Sequence, residues 1–424
     1  MSRIREKPPC TARSHQRPET EICLVYYVLK RSSLVYRYPE NIIHKSTHHF
    51  HSPLVGTTPS PHIPDELPVE ALDLASMLPQ IVDANTALAR FDGQLESIQN
   101  PRVLLSPLMT QEAVVSSKIE GTQATLEEVL EHEADQARPE EQRKREDIEE
   151  IMNYRRALSY GEERLADRPF TLTLLKEMHG ILMEGVRGQD KRRGAFRRQQ
   201  IHIGPPGSSK HEATYIPPPY LKLSDLLDNW EAYYHAEVPD PLVQLGVLHA
   251  QFEMIHPFLD GNGRIGRLLI PLFLHDKNVL SAPTFYASAY LEQTREEYYE
   301  RLSSISEDGD WNGWIRYFLT AVKEQAETNS EKVSRIVDLY ETTKDQVVEL
   351  ISSKYTIQAI DTLFERPIFT SPRFQEHSEI PKQTAYRILR ELEGDVTTCV
   401  RESSGRKPAL YVFEPLMDIV GTYK

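Results

Sequence analysis

The chain has 424 residues, enough for two or three domains at about 150 residues each, and its 39% apolar and 26% charged composition is that of a soluble globular protein, which excludes bulk disorder. Its 49 Lys and Arg against 63 Asp and Glu leave a net charge of −14, which weighs against a whole-chain nucleic-acid coat while leaving room for one basic module. Three widely separated cysteines, Cys10, Cys23 and Cys399, form neither a disulfide framework nor a zinc-ligand spacing, so a reducing, cytoplasmic location is expected.

Residues 1–62 hold nine basic and four acidic side chains, a local net of +5 that leaves −19 for the rest. Rich in Ser, Thr, Pro and His and closed by Pro59, Pro61 and Pro64, this leader reads as disordered and as an overlong start to the chain. A secretory signal is a poor reading, because no small-residue cleavage site follows the apolar run at 22–29. That run also falls far short of the roughly 18 to 20 residues of a bilayer span, so no membrane role is expected. His44, His48, His49 and His51 have metal-ligand chemistry, but nothing holds them in one geometry.

From 64 to 328 the pattern is predominantly helical. Leu242, Leu245, Leu248, Phe252 and Ile255 recur three or four apart and predict one buried stripe. Residues 127–150 are strongly charged, broken at Arg138 and Pro139, and predict two solvated helix faces without chemistry. Residues 202–219, with Gly204, Pro205, Pro206, Gly207 and three prolines at 217–219, predict a loop or short hairpin. Beyond Ser330, Val333, Ile336, Val337, Tyr340, Val347, Leu350 and Ile351 predict a connecting helix into a smaller C-terminal domain.

The stripe leads into His256-Pro257-Phe258-Leu259-Asp260-Gly261-Asn262-Gly263-Arg264-Ile265-Gly266-Arg267. Pro257 disfavours helix at His256, so the preceding helix ends there with the imidazole at the edge of a loop. Gly261, Asn262 and Gly263 reach positive φ cheaply, which lets successive N–H groups converge on an anion where the next helix begins. Arg264 and Arg267 extend the positive field toward further phosphates, Asp260 offers a hard oxygen for Mg²⁺, and His256 has the basicity to take a proton from a hydroxyl near neutral pH. An ordinary glycine-rich turn would leave this concentration of base, metal ligand, anion nest and guanidiniums without a reason.

These residues match His-Pro-Phe-x-(Asp/Glu)-Gly-Asn-Gly-Arg-x-x-Arg, and here the sequence resembles the Fic family of protein adenylyltransferases. Gly194-Ala195-Phe196-Arg197 with Ile203-Gly204 resembles the family's approach to its flap, and Thr214, Tyr215, Ile216 and Pro217 resemble the flap that holds a target segment by main-chain pairing. Tyr298-Tyr299 and the segment Trp311-Asn312-Gly313-Trp314-Ile315 resemble its closing helices. The likeness covers about residues 65–325. It implies a mainly α fold, a Fic-type helical core with a small β-hairpin flap, to which the pattern after residue 371 adds a C-terminal winged helix-turn-helix-like domain. The corresponding divisions are a leader at 1–62, an N-terminal region with an inhibitory helix at 63–150, a catalytic core at 151–328, and a connecting helix with the winged-helix-like domain at 329–424.

The resemblance implies that His256 takes the proton of a Ser, Thr or Tyr hydroxyl on a target protein, or on the chain itself, as that oxygen attacks the α-phosphate of ATP. Gly261, Asn262, Gly263, Arg264, Ile265, Gly266 and Arg267 would hold the nucleotide, with Mg²⁺ on Asp260. Tyr299 would form the adenine-side wall, although a neighbouring core aromatic fits nearly as well. Position 263 is Gly, whereas the Doc branch, which phosphorylates, has Lys there.

Upstream, the run from Ser116 to Gly121 resembles the family's inhibitory pattern (Ser/Thr)-x-x-x-Glu-(Gly/Asn). Its implication is that Glu120, with Ser116, occupies the Arg267 guanidinium that should bind the γ-phosphate, leaving ATP misaligned. The same carboxylate would alternatively orient water to remove AMP from a modified target.

From 371 to 392 a short helix, a turn at Glu379-Ile380-Pro381 and a second helix with Ala385, Ile388, Leu389 and Leu392 inward predict a helix-turn-helix. Lys382, Gln383, Tyr386, Arg387 and Arg390 would face outward, and a polar turn with Gly405, Arg406, Lys407 and Pro408 suggests a basic wing. Such modules serve homodimer and partner contacts as well as DNA, and the acidic parent weighs against DNA. The rival function is a DNA-binding regulator whose ATP pocket senses nucleotide.

Overall fold

Two long helices set the frame. In the computed structural model, which describes residues 60–70, 72–135, 141–186, 192–204, 209–405 and 407–421, α1 (Leu74–Ser97) lies along the later 40-residue helix that closes the core. Asp73 caps α1 by accepting from the Ser76 N–H at 3.1 Å. The leader read for 1–62, apart from its last three residues, lies outside the described residues, as do the Arg138-Pro139 break and the Pro205–Gly207 tip of the hairpin segment.

A one-turn α2 (Pro101–Leu104) leads into α3 (Ser106–Ile119), which is buried on nearly all sides, including the polar Gln111, Glu112, Ser116 and Ser117. Such a helix sits in the core only if its polar groups find partners. Glu112 does so by accepting from the Ser288 N–H at 3.0 Å. The Thr125/Glu128 capping box starts α4 (Leu126–Ala134), followed by α5 (Gln142–Asp167) and α6 (Leu172–Leu182). The charged stretch is not wholly solvated: Asp147 and Glu150 are buried on α5, where Asp147 accepts from the Gln123 N–H at 2.9 Å.

After α7 (Leu223–His235), Asp240 and Pro241 begin α8 (Pro241–Ile255), and α9 (Asn262–Asp276) follows a six-residue loop. Leu242, Leu245, Leu248, Phe252 and Ile255 are buried as expected, but so is almost every other α8 residue. This is a central helix covered all round, and not an amphipathic one with a single inward stripe. Then come α10 (Ser288–Gln293), α11 (Arg295–Asp308), ended by Gly309 in the left-handed region, and α12 (Trp311–Leu350). No helix among the described residues is long and apolar enough to cross a membrane.

The expected connecting helix is the second half of α12, which runs without a break past residue 328. Beyond it, α13 (Thr356–Glu365), β1 (Ile368–Thr370), α14 (Ser371–Ser378), α15 (Lys382–Leu392), β2 (Thr398–Arg401), β3 (Leu410–Val412) and α16 (Glu414–Val420) complete the chain. The strands form one antiparallel sheet in the order β1-β3-β2, and Ala385, Ile388, Leu389 and Leu392 of α15 are buried. Arg401, in the expected wing, pairs with Asp135 at the end of α4 at 2.7 Å, so it is directed at its own chain. The Arg406 position lies outside the described residues.

Candidate functional site

The site grows from the way α8 ends. His256 adopts φ 48° and ψ 62°, a left-handed conformation that β-branched residues avoid, because Pro257 bars the helical one. The imidazole therefore leaves the helix axis and lines a cavity of about 670 Å³. Its Nδ1 lies 3.3 Å from the Glu253 carbonyl oxygen. A carbonyl only accepts, so Nδ1 carries the hydrogen and Nε2 is left as the proton acceptor. Burial lowers the imidazole pKa to about 4, which keeps it neutral at physiological pH.

The loop from 257 to 261 is braced from within. The Asn262 side chain accepts from the Phe258 N–H at 2.8 Å and donates to the Phe258 carbonyl at 2.9 Å. His179, stacked 3.8 Å from Phe258, donates Nε2–H to the Asp260 carbonyl at 3.1 Å and accepts from the Gly194 N–H at 3.0 Å. Gly261 caps α9 at φ 77°, where a side chain would be strained and would press on the Met183 sulfur. The first N–H groups of α9 have no intrahelical acceptor and carry the positive end of its dipole.

Arg267, 1% exposed, projects from the second turn of α9. Its Nε donates to Ser116 Oγ at 2.9 Å, and its Nη2 donates to the Ser116 carbonyl at 2.8 Å and to Glu120 Oε1 at 2.7 Å. Glu120 stands just beyond α3, its side chain 35% exposed toward the cavity, with Gly121 at φ 100° turning the chain away. Burial alone would push the Glu120 carboxyl up, but the Arg267 guanidinium outweighs it and holds the group below the usual carboxylate range. Gly263 faces the same oxygen so closely that a Cβ there would collide with Glu120 Oε1.

Several expected nucleotide contacts fall elsewhere. Arg264 turns into the protein, donating to Glu150 Oε2 of α5 at 3.0 Å in a buried pair and standing 3.7 Å from Asp260 Oδ1, so it does not extend the field into the cavity. The Ile265 side chain is fully buried, and the Asn262 side chain is used up within the loop. Gly266 packs against Phe252 and Glu253. These positions would reach a nucleotide only through main chain. Asp260, whose Oδ1 accepts from the Gly261 N–H at 2.8 Å, does not line the cavity.

Among its described residues the flap pairs through one bridge, Ile203 with Tyr215, and not through a regular ladder. Thr214 and Tyr215 line the cavity, and the Tyr215 hydroxyl donates to the Met254 carbonyl at 2.9 Å. Ile216 is buried and its carbonyl accepts from the His62 N–H at 2.9 Å, while the Pro217 carbonyl accepts from Gln200 Nε2 at 2.7 Å. Main-chain positions expected to meet a target are thus engaged within the chain.

The opposite wall is one face of α11. Arg295, Tyr299, Leu302, Ser303 and Ser306 recur at helical spacing along the cavity, with the exposed Tyr299 ring beside the buried Tyr298. Arg295 lies 5.9 Å over the Tyr299 ring and donates to the Ile119 carbonyl at 2.7 Å, tying this wall to the end of α3. Sequence reasoning missed Arg295 and also Glu253, three residues before His256. Burial pushes the Glu253 carboxyl up to about 7, against the pull of Arg267, and its Oε1 has no hydrogen-bond partner among the described residues. Their helical spacing from Tyr299 and His256 was the available signal.

With this geometry in view, the similarities to known proteins are specific. The Fic/DOC family N-terminal model matches residues 78–163 and the Fic/DOC family model matches residues 169–274. A protein adenylyltransferase Fic of Culex quinquefasciatus is 29% identical over 174 residues, 40% of this chain and 31% of that protein. A protein adenylyltransferase fic-1 of Caenorhabditis elegans is 27% identical over 165 residues, 38% of this chain and 28% of that one. The match thus spans under a third of the length of these curated relatives. A solved Fic family protein from Desulfovibrio desulfuricans G20 shares the fold with a TM-score of 0.52 at 20% identity, covering 79% of this chain and 96% of its own. These two matched segments, on a shared helical fold, carry the chain's similarity to the Fic/DOC family.

Proposed function

We propose that the protein transfers AMP from ATP to a Ser, Thr or Tyr hydroxyl of target proteins and of itself, and that Glu120 holds this activity in check. One observation carries the reading: the free Nε2 of His256, Gly263 at the start of α9, and Arg267 all face one cavity. As the hydroxyl oxygen bonds to the α-phosphorus, its proton passes to His256 Nε2, the bond to the bridging oxygen breaks, and pyrophosphate leaves. Main-chain N–H groups at the start of α9 and the Arg267 guanidinium would hold the departing charge. The relatives named protein adenylyltransferase support the choice of adenylyl transfer.

Asp260 would hold Mg²⁺. Although it lies outside the lining of the cavity, this carboxylate is partly exposed beside the start of α9, which suits an ion that takes most of its ligands from water and substrate phosphates, and the ion would supply charge neutralisation there. Glu120 would inhibit by filling the one guanidinium that a γ-phosphate needs, in a place that a side chain at 263 could not share.

The position of the label tests the reading. With Glu120→Gly protein, label in the α-phosphate of ATP should become fixed to protein and label in the γ-phosphate should not, and His256→Ala should abolish the transfer. Transfer of γ-label would point to phosphorylation. No transfer of either, with DNA binding that responds to ATP, would favour the nucleotide-sensing regulator.

A further inference from the structure

The last four carbonyls of α8 have no partner within the helix, so each must be met from outside or left to water. Here every one is met by a residue of the site. The Phe252 carbonyl accepts from the His256 N–H at 3.0 Å, and the Glu253 carbonyl is met by His256 Nδ1 at 3.3 Å. The Met254 carbonyl accepts from the Tyr215 hydroxyl at 2.9 Å, and the Ile255 carbonyl accepts from Arg197 Nη2 at 3.3 Å.

Arg197 does more. It is 2% exposed, and its guanidinium is spent on main-chain carbonyls. Nε donates to the His256 carbonyl at 2.9 Å, Nη2 also to the Pro218 carbonyl at 2.7 Å, and Nη1 to the Gln199 carbonyl at 3.2 Å. Its own N–H donates to the Pro257 carbonyl at 2.8 Å. Burying a guanidinium without a paired carboxylate is costly, and burial pulls its pKa down to about 10, still far above neutral. A planar fork of donors aimed at the carbonyls of Ile255, His256, Gln199 and the flap's Pro218 is what arginine supplies and lysine does not.

We infer that Arg197 is a positioning residue that locks the left-handed turn at His256 to the flap, so that the base takes its working orientation only while the flap is seated. The role in catalysis rests on the adenylyltransfer reading, but the mechanical link does not. Tyr215 is the second rivet of the same joint, reaching from the flap to the carbonyl before the one Arg197 holds.

Two measurements decide the matter. In a Glu120→Gly parent, both Arg197→Met and Arg197→Lys should slow self-labelling from α-labelled ATP by about 30-fold or more, as expected when a reacting group is misplaced by about 1 Å. The KM for ATP should stay within about twofold, because Arg197 touches neither Gly263 nor Arg267 and the loss should fall on the reacting geometry. Hydrogen exchange should quicken by about tenfold or more in peptides covering 213–218 and 254–258, with the rest of the chain unchanged. Tyr215→Phe, which removes one hydroxyl, should give a smaller loss in the same direction, and it serves if Arg197→Met does not fold. The inference is overturned if labelling stays within about threefold of the parent, if KM for ATP rises in step with the lost rate, or if exchange in the two peptides is unaltered. A parent that transfers no label would refute the functional reading, and the exchange comparison would still decide this one.

Discussion

Arg267 is the residue on which the proposed catalysis and its proposed suppression meet. Fully buried, it makes three hydrogen bonds to Ser116 and Glu120, and the carboxylate is the only partner there able to swing into the cavity, since Ser116 is fixed in α3. Glu253 stands near the same guanidinium in a different state. Because the fold binds its proton more tightly than the unfolded chain does, this carboxyl's contribution to stability is intact below about pH 4.5 and is lost as pH rises through about 7. Glu253→Gln, which stays neutral, should therefore gain on the wild type between pH 5 and pH 8.5 by about 1 to 3 kcal/mol in urea unfolding; parallel pH profiles would exclude a raised carboxyl pKa. His256, Glu120 and Arg267, which line one cavity, could be picked out of the sequence because they fall in short recognisable patterns, whereas Asp260, picked out with them, does not line it. Arg264 was misread for a physical reason: adjacency to Arg267 on α9 suggested a shared target, but Glu150, 114 residues away, captures its guanidinium.

At the scale of elements, α8, the 257–261 loop and α9 act as one hairpin whose stiffness comes from Asn262, His179 and the Arg264–Glu150 pair. Breaking a buried ion pair from one side strands the other charge, so Glu150→Ala should cost about 3 to 5 kcal/mol, whereas a solvated helix face would lose little. Thermal or denaturant unfolding distinguishes the two, and a loss under about 0.5 kcal/mol would return Glu150 to the solvated role its charged neighbourhood suggested. Helix type, including the two short helices α14 and α15, could be read from periodicity. The all-round burial of α3 and α8 could not, because it depends on how many neighbours surround a helix and not on its own pattern. The flap's single bridge was likewise hidden, since turn residues announce a loop but not how much of it pairs.

Across the whole molecule, α12 joins what the sequence suggested as separate parts. Its first half packs along α1 and α8, its second half carries α13 and α16, and those two helices also touch α3, the helix that ends at Glu120. The helix that ends at Glu120 and the C-terminal elements therefore share a support. A chain stopped at residue 328 would lose the buried Val333, Ile336 and Val347 and uncover the face of α3 that α13 and α16 touch, so it should unfold at a temperature several degrees lower or aggregate; an unchanged transition would mean that the C-terminal elements are an independent module. The central claim, that one carboxylate withholds Arg267 from the nucleotide, is tested most directly by comparing initial rates of self-labelling from α-labelled ATP for wild type, Glu120→Gly and Glu120→Gly/His256→Ala at pH 7. Release of the guanidinium predicts a rate at least about tenfold above wild type for the single variant and none for the double. Equal labelling by wild type and Glu120→Gly would contradict it.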